Sequence, residues 1–419
     1  MINRSIAPAT IIPSQLPEIT IEQHVLKNGV RIYHSNEEEE LVRLSLFFLC
    51  GSVYSQRKGI TGALSKLLLS GTRKYSAFQI QEKLDYYGAY TDIETGYAHV
   101  VLNVFCIKHH LSSITQFITE ILLDLEIPEE ELELYKQKSI ESLKVNEQKT
   151  SYIARRAFMK NYFGEDHAYG RSMDISDYDQ LDRATIQSYH QTMLLSSLDY
   201  ILINTPVSHK SLEPFEMFAP DTTKTPQYLS KEKGVHFSSN ITHPDAVQAS
   251  IFLGLSSPTR RDSDFAKWSF LITLFGGYFG SRLMKNIRED KGYTYGISSS
   301  IQHYPDCALM SIRSDVKDEV KEECVNEIIL EMNRLKSEKV SDNEMLTVKN
   351  YILGSLQRSF DGSLALGDRY RTILDQKLPF DYYHHFIRSI YHMDKEDIYQ
   401  TANKYFDINS LNKVIVGNF

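Results

Sequence analysis

A chain of 419 residues exceeds what one hydrophobic core ordinarily serves, so two domains of about 200 residues are expected. Apolar residues make up 42% and charged residues 24%, a globular balance that excludes collagen-like, low-complexity and disordered classes. The net charge of -8 argues against a nucleic-acid footprint, and Arg155-Arg156 and Arg260-Arg261 read as solvated surface.

Met1 to Pro17 carries a lone Arg4 and no continuous apolar stretch, so no secretory signal is expected. The apolar run Leu44 to Cys50 falls far short of the ~20 residues of a membrane helix, which leads to an expectation of a cytoplasmic protein with no membrane partner. Cys50, Cys106, Cys307 and Cys324 are widely spaced and form no C-x-x-C pair; Cys50 and Cys106 read as buried thiols.

The first half opens with strands at Val30–His34 and Val42–Cys50. A helix starts at Thr61, with Ala63, Leu64, Leu67 and Leu68 at helical spacing, and ends at Ser70-Gly71. Ser76 to Gln79 forms a capping box for a second helix that stops at Gly88, and paired strands follow at Tyr90–Thr95 and His99–Phe105. Helices are predicted over Leu111–Leu125 and, as one long element, from Pro128 to near Tyr162; another spans Thr185–Leu195 before a strand at Tyr200–Ile203.

Between residues 205 and 234, Pro206, Pro214, Pro220 and Pro226 interrupt a polar stretch without periodicity. This suggests an amino-terminal domain over 1–215, a linker over 216–234 and a carboxyl-terminal domain over 235–419. The second half repeats the order of the first at an offset of roughly 200 residues. A strand at Gln248–Leu255 and a helix at Phe265–Phe275 precede paired strands at Tyr295–Ile301 and Ala308–Arg313. Long helices at Val316–Leu335 and Asp342–Gln357, helices at Leu364–Leu374 and Lys395–Tyr405, and a strand at Lys413–Val416 complete the series. The expected fold is α+β: two homologous domains, each a mainly antiparallel sheet packed with helices.

The most specific segment runs Gly276-Gly277-Tyr278-Phe279-Gly280-Ser281-Arg282-Leu283, then Ile287-Arg288-Glu289-Asp290-Lys291-Gly292-Tyr293-Thr294-Tyr295-Gly296. It reads as a glycine-bounded turn, a short basic helix carrying Arg288, a break at Gly292 and an extended piece presenting Tyr295. A phosphate cradle is excluded because no Lys-Ser/Thr follows and a helix precedes the glycines. By spacing alone, Arg288 reads as surface and Tyr295 as packing.

Together with Leu26 to Val30, Ser70-Gly71-Thr72 and Phe163 to Arg171, this segment resembles the pitrilysin/insulinase family of zinc peptidases, which includes the mitochondrial processing peptidases. The resemblance covers nearly the whole chain and implies a half clamshell of two homologous domains. In that family H-x-x-E-H supplies two zinc-binding histidines and a water-activating glutamate. The matching positions here are Gly62, Ser65 and Lys66, which cannot serve, and the third ligand position falls near Glu141 or Ser142. No H-x-x-x-H or H-x-x-E-H pair occurs elsewhere among the 14 histidines. His109-His110 and His384-His385 diverge on a helix, and His99, His236 and His243 stand apart as structural residues. No metal is therefore expected in this chain.

The resemblance assigns Arg288 and Tyr295 to substrate positioning, with the arginine on a backbone carbonyl and the tyrosine hydroxyl near the scissile carbonyl. More weakly, it points to Thr91, Asp92, Ile93 and Glu94 as a sheet edge on which a peptide could add as a strand, with Asp92 where active members carry Asn. The function so implied is the non-zinc subunit of a heterodimeric metallopeptidase. A homologous partner would carry H-x-x-E-H and the zinc, the substrates would be unfolded peptides, and the chain would be inactive alone. The alternatives are a catalytically inactive peptide-binding or assembly scaffold and, third, a homodimer with another activity.

Overall fold

The first half forms strands β1 (Ile21–Val25), β2 (Arg31–Ser35), β3 (Leu41–Phe48), β4 (Tyr90–Thr95), β5 (Val100–Ile107) and β6 (Leu198–Ile203), of which β3, β5 and β6 are apolar runs buried on both faces. The computed structural model describes residues 21–221, 236–244 and 246–419. The strands lie in the order β1-β2-β6-β3-β5-β4, antiparallel except for β2 beside β6. Between them run helices α1 (Ile60–Leu67), α2 (Ala77–Tyr86), α3 (Leu111–Leu123), α4 (Glu129–Asn146), α5 (Thr150–Phe163), α6 (Ile175–Asp179) and α7 (Arg183–Tyr189), with the short α8 (His209–Leu212) after β6. Leu44, Leu46, Val100 and Leu102 face Leu64, Leu84, Ile118 and Ile186 in one apolar core.

The second half places strands β7 (Ser238–Thr242), β8 (Gln248–Ser257), β9 (Thr294–His303), β10 (Ala308–Lys317) and β11 (Asn412–Gly417) in the order β7-β11-β8-β10-β9. Here too one neighbouring pair, β7 with β11, is parallel. Its helices are α9 (Phe265–Ile272), α10 (Lys321–Ser337), α11 (Asp342–Arg358), α12 (Ser363–Asp375), α13 (Tyr382–His392) and α14 (Lys395–Tyr405). Strand for strand, β7, β11, β8, β10 and β9 repeat β2, β6, β3, β5 and β4; among the described residues, β1 has no counterpart. The α+β architecture with two repeated sheets is thus present.

Each half lends a helix to the other. α5 of the first half lays Ala154, Phe158 and Tyr162 against Phe252, Leu309, Val414 and Val416 of the second sheet, with the Phe158 and Phe252 rings 4.5 Å apart. α12 of the second half packs Tyr370 onto Tyr33, Phe47 and Tyr200 of the first sheet. Ion pairs flank that contact: Arg43 with Asp368 at 2.8 Å, and Arg371 with Glu94 at 2.8 Å. Both sheets are therefore covered on two faces, and the reciprocal packing ties the halves together.

Several expectations need correction. The long helix from Pro128 to Tyr162 is two helices, broken at 147–149, because α5 must turn away to reach the other sheet. Pro128 does precede the first of them, followed by Glu129, Glu130 and Glu131 as a helix start favours. Val316 belongs to β10, where it pairs with Thr294, and the helix begins at Lys321. Much of the 205–217 stretch is helical, through α8 and a 3-10 turn at Glu213–Met217, while most of the expected linker lies outside the described residues. α13 lacks any expectation, although its buried Tyr383, Ile387 and Ile390 fall at helical spacing. The capping box at Ser76 and Gln79 forms as read.

Candidate functional site

Gly62, Ser65 and Lys66 all sit on α1. Ser65 is 1% exposed, and its hydroxyl donates to the Thr61 carbonyl at 2.8 Å, a local bond that keeps it in the helix. A Cβ added to Gly62 would meet the Tyr135 hydroxyl at 3.8 Å. Lys66 is exposed at the rim of a cleft of about 480 Å³, whose walls include Glu131, Tyr135, Lys138, Ser142 and Tyr152. Glu141 lies exposed on α4, and its neighbour Ser142 reaches the cleft instead.

Zinc requires imidazole, thiolate or carboxylate donors, and a glycine, a buried hydroxyl and an ammonium with no lone pair do not fit it. Beside the carboxylate of Glu131, this cleft offers hydrogen-bond donors. Burial, then the neighbouring Tyr178, pushes the Tyr135 phenol up to about 12, which keeps its proton available. Ammonium and hydroxyl groups of this kind can hold carbonyl or carboxylate oxygens.

β4 forms the far edge of the first sheet, bonded to β5 on one side. Asp92 is exposed there, while Thr91 and Ile93 are half-buried. Glu94 is already engaged: it accepts from Asn103 at 2.8 Å and pairs with Arg371 of α12. Its side chain belongs to the contact between halves, so an added peptide strand would meet its backbone and not its carboxylate.

In the second half, α9 continues as a π-helical turn, Thr273–Gly277, before the chain straightens at Tyr278. Gly276 abuts β9 so closely that a Cβ would sit 2.8 Å from the Ser299 nitrogen, so no larger residue fits. The glycines thus mark a reversal between helical segments, as expected. Beyond it Arg282 holds Glu344 through two bonds of 3.0 and 3.2 Å, and Asn286 donates to Glu327 and Glu331. These contacts anchor the π-helical turn Met284–Asp290 that carries Arg288.

Arg288 is half-buried, its guanidinium 4.6 Å from the centre of the Phe279 ring. Gly292 ends the turn with φ +66, a left-handed conformation that suits glycine. Strand pairing then slips: Ser314 faces Ile297, yet Val316 faces Thr294, so Tyr295 and Gly296 lie in a bulge. The Thr294 hydroxyl braces the bulge by donating to the Asp315 carbonyl at 2.6 Å and accepting from the Gly296 amide at 3.1 Å. Tyr295 consequently projects from an edge strand at 91% exposure. Both residues are presented by anchored backbone, and Phe279, inside the same motif, is a neighbour of Arg288 that spacing alone does not reveal.

His99 is not isolated, contrary to expectation. Its Nε2 lies 3.3 Å from Asp199 and its Nδ1 3.5 Å from Asp375 of α12. His385 pairs with Asp381 at 2.9 Å on its own helix.

The insulinase (peptidase family M16) model matches residues 30–173, and that of the peptidase M16 inactive domain matches residues 180–352. An uncharacterized zinc protease of Rickettsia felis is 21% identical over 94% of this chain and 97% of its own length; one of Rickettsia bellii is 23% identical over the same shares. Among solved structures, a peptidase M16 inactive domain from Pseudomonas fluorescens superposes with a TM-score of 0.85 at 18% identity, covering 96% of this chain and 99% of that one. A protease from Helicobacter pylori gives 0.85 at 15% identity, covering 95% and 100%. The periplasmic protease PqqL of Escherichia coli gives 0.79 at 13% identity, covering all of this chain but 49% of that one. With both halves matched and the two-sheet fold shared along its length, the chain belongs to the M16, or insulinase, peptidase family.

Proposed function

We propose that this chain is the zinc-less subunit of a heterodimeric M16 metallopeptidase. A homologous partner of similar size carries H-x-x-E-H, and Arg288 and Tyr295 of this chain complete the partner's site by positioning the peptide. One observation carries the reading: the motif helix has no donor set for zinc, while Arg288 and Tyr295 stand on anchored backbone with Tyr295 turned wholly outward. The match to half of PqqL supports the same view, since one polypeptide there spans what two chains of this size would.

Unfolded peptides are the substrate class, because a chamber closed between two such chains admits extended segments and excludes folded domains. The edge of β4 offers backbone groups for such a segment, with Thr91 and Ile93 alongside. No described helix is long and apolar enough to cross a membrane. A cytoplasmic setting is part of the proposal, resting on widely spaced cysteines with no C-x-x-C pair.

The test is affinity purification from the native host, followed by a peptidase assay of the recovered pair with and without a chelator. Recovery with an H-x-x-E-H chain and chelator-sensitive cleavage is expected, with none by this chain alone. Recovery without such a partner, whether as a monomer or a homodimer, or a pair indifferent to chelator, would sink the proposal in favour of a peptide-binding scaffold.

A further inference from the structure

At the edge of the first sheet opposite to β4, the hairpin of β1 and β2 brings together Glu22, His24 and His34. Glu22 faces His34 directly across the antiparallel ladder, and His24, two residues on, shares the Glu22 face of β1. Glu22 Oε2 lies 3.6 Å from His24 Nε2 and 3.7 Å from His34 Nε2, and one donor atom from each residue falls within 4.8 Å of the other two. The two imidazoles stack with centroids 5.1 Å apart and planes 10° from parallel. His34 is buried, and its Nδ1 lies 3.1 Å from the Ser35 carbonyl. A proton on Nδ1 donates to that carbonyl, which fixes the ring and leaves the Nε2 lone pair turned toward the cluster.

Two imidazole nitrogens and a carboxylate within 4.8 Å of one another are the donor types of a borderline divalent transition metal, and the exposed His24 ring would turn out of its stack on His34 to aim its in-plane lone pair at the same ion. Tetrahedral zinc with bonds of ~2.0–2.1 Å separates its ligand atoms by about 3.4 Å, close to the two separations above. We infer that Glu22, His24 and His34 form a binding site for a Zn2+-class cation that clamps β1 to β2 and keeps a fourth position open to water. Nothing in it depends on the partner or on Arg288 and Tyr295: α1, with the degenerate motif, packs at the other side of this sheet against β4. β1 is also the strand that the second sheet does not repeat among the described residues, so the site is particular to the first half.

Chelator-stripped full-length protein is titrated with zinc chloride calorimetrically at pH 7.5, and with cobalt to read its visible absorption. The expected result is one equivalent bound, a cobalt spectrum of low coordination number and a higher melting temperature with zinc. His24→Ala and Glu22→Gln, both at exposed side chains, each weaken binding about tenfold or more and abolish the thermal shift, while His385→Ala leaves both unchanged. Undetectable zinc binding up to about 100 µM overturns the site, as does equal affinity in the wild type, His24→Ala and Glu22→Gln.

Discussion

The two halves treat the same region of a repeated unit in opposite ways. In the first, the motif helix and edge strand present no such pair as Arg288 and Tyr295: Ser65 is sealed by its own helix, Lys66 rims a cleft, and Glu94 on the edge strand is tied to Arg371. In the second, the equivalent edge strand is broken by a bulge that turns Tyr295 to solvent, and the preceding π-helical turn holds Arg288 against Phe279. Neither arrangement follows from the sheet, which is alike in both. The difference lies in what short connecting segments do with an edge strand, which is where a scaffold admits functional change at little cost to its core.

The sharpest way to break this contrast is kinetic. In the assembled pair, Tyr295→Phe and Arg288→Ala are expected to lower turnover by about 10²–10³-fold, the scale for removing a group that stabilises developing charge. Lys66→Ala is expected to change it by less than about threefold, with all three variants still co-eluting with the partner. Comparable losses at Lys66 and Tyr295 in steady-state assays would mean that both halves contribute chemistry, and the contrast would fail.

Stability measurements probe the reciprocal helices next. Phe158→Ala removes a ring seated in the second sheet and is expected to cost about 3–5 kcal/mol in urea unfolding. Tyr370→Ala, its counterpart on the first sheet, should cost about 3 kcal/mol. Each substitution should lower a single transition, because each helix belongs to both halves. Two separated transitions in either variant would show that the halves unfold independently.

Acid brings out a shared property. Burial holds the His190 imidazole below its ordinary value in the first half; in the second, burial and then Arg260 lower His303 to about 3. His303 stays neutral in the fold until about pH 3, and His190 takes up its proton at lower pH than in the unfolded chain, which is protonated below 6.5. Their contribution is therefore complete above that pH and declines as pH falls toward the folded values, by up to about 1.4 kcal/mol per pH unit for each group. Melting temperatures between pH 7 and 5 should fall less steeply in His303→Gln than in the wild type; parallel curves would remove His303 from this account. The smallest effects belong to the helix caps. Ser76→Ala and Ser341→Ala each break a capping box, one per half, and should lower the unfolding free energy from urea titration by about 1 kcal/mol apiece.

Local chemistry sufficed for much of this protein. The apolar runs Val42–Cys50 and Gln248–Leu255, the cap at Ser76, the glycines at 276–280 and the absence of ligands at Gly62, Ser65 and Lys66 are each written within a few residues, where backbone geometry and side-chain chemistry act directly. Long-range packing settled the rest. The break between α4 and α5 exists because α5 covers the sheet of the other half, and Glu94 and His99 are claimed by Arg371 and Asp375, more than two hundred residues away in the chain. Tyr295 is lifted outward by a register slip against β10, and Glu22, His24 and His34 meet across a ladder whose pairing is not apparent in any one strand. A periodic pattern specifies which face of an element is apolar; which partner covers that face is decided only when distant segments compete to bury it.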